Sequence, residues 1–232
     1  VNFRDIVPES AWQELIARGR RRPYRRGTQL LRQGESATSV IALTEGIVKV
    51  VQSAENGDTL TLMLRGPGEV LGEMGALLDR RRSATIQAVS ACVGYVLPAH
   101  AFRGYVDRHR LTTEVYRLAV DRMQENERLR SDLVRLPPAA RLARVVACLA
   151  REIGRPVNDG VLVELGMPRE ELAAMAAMSR STAMPVLNRL RVASVLSLGR
   201  SHLIVLDPVG LEAAAAPSAE PGRDSAYEAR HN

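Results

Sequence analysis

The sequence predicts an α+β chain in three parts, and three observations carry that reading. Residues 27–97 break into short apolar runs separated by glycine turns, the pattern of an antiparallel β-roll. Residues 99–136 switch to helical period and stop at Pro137-Pro138. Residues 168–206 read helix, turn, helix and then two short strands, the pattern of a winged helix-turn-helix. The expected limits are 1–110 for the roll, 111–136 for one long helix, 137–207 for the winged helix-turn-helix, and 208–232 for a largely flexible tail.

At 232 residues the chain is long enough for two modest domains. Hydrophobic residues make up 46% and charged residues 25%, enough for real cores on a soluble protein. The formal charge of +6 favours polyanionic partners. The basic side is almost all arginine, with Lys49 the only lysine, so part of that charge reflects composition bias. Cys92 and Cys148 stand far apart among apolar neighbours and read as reduced core residues. The four histidines form no ligand cluster, so no metal is expected. No nucleophile–base pair appears, so no catalytic residue and no enzyme is expected. Arg4-Asp5 is followed by no long apolar run, and no uncharged stretch is long enough to cross a membrane. A cytoplasmic protein without a membrane partner is the expectation.

Each element has its own signal. Residues 8–18 form a short helix opened by Pro8 and Ser10, with Trp12, Leu15 and Ile16 on one face. Arg18–Arg26 reads as an edge strand with a solvated basic face, in preference to a nucleic-acid contact. Strands follow at Leu30-Leu31, 40–44, 47–51, 59–64, 84–88 and 92–97. They are punctuated by turns at Gly34, Gly46, Glu55-Asn56-Gly57-Asp58 and Arg65-Gly66-Pro67-Gly68. A short helix over 99–107 precedes the long one. On the long helix Leu111, Val115, Leu118, Leu129, Leu133 and Leu136 recur at helical spacing, widened by Ala119 and Met123. Arg122, Glu125 and Asn126 interrupt that stripe. Such a helix beside a small roll invites a parallel partner, so a homodimer through residues 111–136 is expected. After the hinge come a helix over 139–153, a loop over 154–160 and a strand over 161–165. In 168–192 Glu170-Glu171 favour the first helix's dipole and Ser179 can cap the second. Strands at 195–198 and 203–206, joined at Gly199-Arg200-Ser201, make the wing. Residues 209–216 suit a short helix, and 217–232 show no apolar period.

The chemistry concentrates in residues 70–85, VLGEMGALLDRRRSAT. Gly72 permits close backbone approach. Glu73 can accept hydrogen bonds from neutral hydroxyls. Arg82 can grip a phosphate bidentately, aided by the N–H groups of the turn. A hydroxyl reader beside a phosphate clamp suits a sugar phosphate. This stretch resembles the phosphate-binding cassette of cyclic-nucleotide-binding domains, Gly-Glu, a small apolar turn, then Arg-Ser/Ala-Ala. The resemblance implies that Glu73 holds the ribose 2′-hydroxyl, that Arg82 pairs with the cyclic phosphate and that Ser83 adds a hydroxyl to it. Over the whole chain the order of parts resembles the Crp/Fnr family of bacterial transcription regulators. That resemblance implies a cyclic nucleotide effector, cAMP ahead of cGMP, with Asn126 and Glu127 at the base-reading positions. Both depart from the hydroxyl residues of the best-known cAMP receptors. It also implies that the second helix of the pair enters the major groove of double-stranded DNA.

For DNA the resemblance singles out Ser179, Arg180, Ser181 and Thr182 at the exposed start of that second helix. Arg169, Arg189 and Arg200 are candidate phosphate contacts. RNA polymerase is a further candidate partner. Two departures stand out: Ser181 replaces a base-reading glutamate, and Pro185 replaces a base-reading arginine. Pro185 also removes an N–H inside the helix. Ala177 and Ser194 sit where relatives use turn glycines. The reading is therefore a ligand-gated DNA-binding regulator. Its alternatives are a nucleotide-sensing or scaffold protein with a degenerate helix-turn-helix, or a DNA-binding regulator whose roll is empty. Haem or iron–sulfur sensing finds no cysteine cluster to support it.

Overall fold

The computed structural model describes residues 2–54 and 56–216. Glu55, expected in a hairpin turn, and residues 217–232 lie outside the described residues. The first helix, α1 (Glu9–Arg18), follows a 3-10 turn at Arg4–Ile6 and buries Trp12 and Leu15. Strands β1 (Arg20–Tyr24), β2 (Gln29–Leu31), β3 (Ser39–Glu45), β4 (Val48–Ser53), β5 (Thr59–Arg65) and β6 (Val70–Leu71) follow. Then come α2 (Glu73–Leu78), β7 (Thr85–Ala88) and β8 (Cys92–Pro98). These strands form two antiparallel four-stranded sheets, ordered β1-β8-β3-β6 and β2-β7-β4-β5. Inward-facing Leu31, Ile41, Leu43, Val48, Leu71 and Ile86 fill the space between them. Arg20, Arg21 and Arg22 stand exposed on the edge strand β1.

The roll's outer apolar face is covered by α1, by α3 (Ala99–Arg108) and by the start of α4 (Thr112–Arg135). Phe3, Trp12, Phe102 and Tyr105 form an aromatic layer there. The Tyr105 hydroxyl donates to the Ala11 carbonyl at 3.0 Å, and burial pushes its pKa up to about 12. Leu111, Val115 and Leu118 belong to this same core. The first half of the expected dimer stripe is therefore spent inside the chain, because α3 and α1 reach it first.

Past the proline pair, α5 (Pro138–Ile153) starts one residue earlier than expected, since Pro138 takes the first helical position. The stretch expected as a loop at 154–160 contains β9 (Arg155–Val157), which pairs with β10 (Gly160–Glu164). Pro156 is tolerated because β9 is an edge strand. Helices α6 (Arg169–Met175) and α7 (Arg180–Val192) form the helix-turn-helix. Strands β11 (Leu196–Leu198) and β12 (His202–Val205) form the wing, and α8 (Pro208–Ala215) closes on α5. The sheet order is β11-β12-β10-β9. The core of this half includes Leu142, Val146, Leu172, Val186, Leu187 and Leu203, together with Ile47, Leu64 and Val89 of the roll. The two halves share one apolar seam.

Among the described residues no helix is long and apolar enough to cross a membrane, and no group of three metal-ligating side chains occurs.

Candidate functional site

The cassette folds as a tight corner followed by one helical turn and a half. Gly72 has φ +80°, the left-handed region, and precedes α2. Its lack of a side chain has a second cause. A Cβ there would lie 2.1 Å from Arg82 Nη1, so any larger residue would evict the arginine. Arg82 is buried at 7% exposure. Its Nη1 donates to the Gly72 carbonyl at 3.0 Å and its Nη2 to the Ser39 carbonyl. A guanidinium carries five donors, so two main-chain bonds leave others for a ligand. Burial pushes its pKa down, opposed by Glu73 and Glu35 nearby. Ser83 stands exposed beside it.

Gly72, Glu73, Arg82, Ser83, Asn126 and Glu127 all line one cavity of about 410 Å³ between the roll and α4. Leu31, Val50, Ile86 and Met123 give it apolar walls. The six positions singled out on the two separate stretches thus meet at one place. Arg130, four residues after Asn126, also reaches it.

The cavity also holds charges that sequence reading had not assigned to a site. Arg122 of α4 lies 3.3 Å from Glu73 and pairs directly with Glu69. Burial opposes its charge, but Glu69 and Glu73 overcome that and raise its pKa. Glu69 is 3% exposed and also lies 3.7 Å from Arg65. Arg65 in turn pairs with Glu152 of α5. In the sequence Arg122 interrupts an apolar stripe at a point where a ligand could reach between helices. Its place four residues before Asn126, on one helix face, is the signal that could have joined it to the site.

The helix-turn-helix is built as a second candidate site. The Ser179 hydroxyl caps α7 by accepting from Thr182 N at 3.2 Å. Ser179, Arg180, Ser181, Thr182, Arg189 and Arg200 are exposed. The Arg180 guanidinium rests on Glu170 at 2.6 Å. Arg169 is turned inward instead. Its Nη2 donates to the Gly199 and His202 carbonyls at 2.7 and 2.9 Å, tying α6 to the wing. Helix α7 runs on through Pro185, which is exposed at its sixth position. Ala177 and Ser194 adopt φ +50° and +57°.

Comparison with known proteins adds the following. The family described as "Cyclic nucleotide-binding domain" matches residues 21–109, and "Crp-like helix-turn-helix domain" matches residues 140–214. A "Cyclic AMP receptor protein" of Thermus thermophilus is 28% identical over 90% of this chain and 94% of its own length. A "Global nitrogen regulator" of Synechococcus elongatus is 23% identical over 81% of this chain and 86% of its own. The structure of FixK2 from Bradyrhizobium japonicum superposes with a TM-score of 0.74 at 16% identity, covering 87% of this chain and 99% of that one.

Proposed function

Because this chain belongs to the Crp/Fnr family of DNA-binding transcription regulators, we propose that a 3′,5′-cyclic purine nucleotide gates it, cAMP ahead of cGMP. The ligand would sit between the 72–83 cassette and α4. One observation supports the reading: Gly72, Glu73, Arg82 and Ser83 of the cassette and the polar Asn126 and Glu127 of α4 line one cavity of about 410 Å³. Glu73 would accept from the ribose 2′-hydroxyl while keeping Arg122 on its other oxygen. Arg82 and Ser83 would hold the phosphate. Asn126 and Glu127 would meet the base edge. The order of nucleotides follows the Thermus relative, whose name is that of a cyclic AMP receptor.

Titration calorimetry on ligand-free protein tests this. Both nucleotides should release heat, cAMP with the tighter binding. Arg82→Ala should weaken binding roughly ten- to a hundredfold, through loss of a charge-assisted bond worth about 1.5–3 kcal/mol. Heat from neither nucleotide at millimolar concentration would overturn the proposal.

The same reading makes the protein a homodimer acting on double-stranded DNA. Helix α4 would pair with its copy, and α7 would enter the major groove through Arg180, Ser181 and Thr182. Arg189 and Arg200 would position it on phosphates. Arg169 would act indirectly, by fixing the wing. RNA polymerase is the third partner in this reading, since a transcription regulator acts on it.

A further inference from the structure

One arginine of the cavity is shared with a contact outside it. Arg65 and Arg122 both line the cavity. Arg65 also holds Glu152, which is on α5 and does not line it. The charges therefore run in a line: Glu73, Arg122, Glu69, Arg65, Glu152. Side-chain exposures along it are 14%, 15%, 3%, 6% and 11%, so solvent screens it little. Three carboxylates share two guanidinium groups. The Nε of Arg122 is buried and makes no hydrogen bond. The Arg65–Glu152 end of the line crosses the seam between roll and helix-turn-helix, where Leu64 and Ile153 belong to one shared apolar core. A second polar contact crosses the same seam, where Glu171 of α6 accepts from Lys49 Nζ and Thr61 Oγ1, each at 2.6 Å. It has no link to the cavity.

We propose that Arg65 is a switch residue: an anion entering the cavity draws Arg122 away from Glu69, Glu69 then competes with Glu152 for Arg65, and α5 loosens from the roll. The proposal rests on the reading of the cavity as a nucleotide site, since a cyclic nucleotide brings one negative charge. That charge enters among Arg65, Arg82 and Arg122; Arg82 is bound only to main-chain carbonyls, while Arg65 and Arg122 already divide themselves among three carboxylates. Arg122 swings part of its donor set to the ligand, Glu69 turns to Arg65, and the Arg65–Glu152 pair weakens. An ion pair buried with its partners is costly to break by removing one member alone, so the closed seam is held until the ligand supplies the exchange.

Linkage makes this testable in both directions. If ligand binding weakens the Arg65–Glu152 pair, removing that pair beforehand must tighten ligand binding by the same factor. Glu152→Gln should therefore bind cyclic nucleotide roughly fivefold tighter or better in calorimetry, the lower end of usual coupling factors. Its amides along α5 and β5 should exchange hydrogen faster without ligand, and ligand should add little more. The ratio of DNA affinities with and without nucleotide should fall toward one. A residue that merely stabilised the fold would not tighten binding at a remote cavity. Glu152→Asp, which keeps the charge and shortens its reach, is the second variant should Glu152→Gln fail to fold, and it should shift affinity the same way. Heat from wild type with unchanged affinity in both variants would overturn the switch alone. No heat from wild type would overturn the cavity's reading first.

Discussion

Among the described residues four that are not glycine hold positive φ, and two of them flank α7: Ala177 and Ser194. A Cβ in the left-handed region costs roughly 1–2 kcal/mol. Glycine removes that cost but gives back about 0.5–1 kcal/mol of chain entropy. Ala177→Gly and Ser194→Gly should therefore each stabilise the winged domain by roughly 0.5–1 kcal/mol, read as a rise in its calorimetric melting temperature. An unchanged or lower melting temperature for both would show that neighbouring contacts, not the dihedral, set the energy there. These sites were legible as departures from a glycine pattern. The positive φ at Asp79 and Arg110 was not, because neither stands in a motif that demands a turn of that kind. Individual site residues were legible where chemistry and spacing coincided, as at Gly72, Glu73 and Arg82. Arg65, Glu69 and Glu152 were not, since each is an ordinary charged residue until the fold brings positions far apart in sequence into one line.

Helix α4 carries two apolar rows, and only the fold decides which is free. Part of the stripe expected at the dimer contact turns inward, while Met123 of that stripe stays 55% exposed. Leu111, Val115 and Leu118 join the roll's core, and Leu129 packs on the core of the second half. The exposed row is Tyr116, Val120, Met123, Glu127, Arg130 and Val134, rising by alternating steps of four and three. That is the spacing of a coiled-coil seam. Tyr116, Val120, Met123 and Val134 are 40%, 44%, 55% and 86% exposed, which leaves apolar surface for a partner helix to cover. Periodicity announced the helix and its amphipathic character. It could not choose between two rows on neighbouring faces, because the choice depends on where α1 and α3 dock. In a parallel pair Val120 and Val134 would each meet their own copy. The double variant Val120→Glu/Val134→Glu removes four buried side chains per dimer at about 1.5–3 kcal/mol each and sets like charges opposite. Wild type should sediment as a dimer at micromolar concentration and the variant as a monomer. A monomeric wild type would sink the seam.

For the whole molecule the open matter is how much of DNA recognition survives on α7. Base reading needs side chains that match donor and acceptor patterns in the groove. Here Ser181 stands where a glutamate would accept from cytosine, and Pro185 where an arginine would donate to guanine. The remaining arginine at the helix start, Arg180, is held by Glu170. Pro185 leaves the Ser181 carbonyl without its helical donor, a change worth about 3 kcal/mol against alanine in a helix interior. Yet α7 begins at Arg180 and continues to Val192, so the helix is neither shortened nor started late. Arg189 and Arg200, the proposed phosphate contacts, remain exposed. In the proposed reading they keep the backbone attraction, while base contacts would come from Ser181, Thr182 and an Arg180 freed from Glu170. Binding to a genomic fragment library across a salt series separates the two contributions. The electrostatic part falls steeply with salt, by a slope of about −0.9 per phosphate neutralised, and does not distinguish sequences. We expect selective enrichment that persists at physiological salt, with Glu170→Gln strengthening it by releasing Arg180. Uniform binding that disappears as salt rises would leave backbone attraction alone, and the chain would then be a nucleotide sensor whose helix-turn-helix no longer reads DNA.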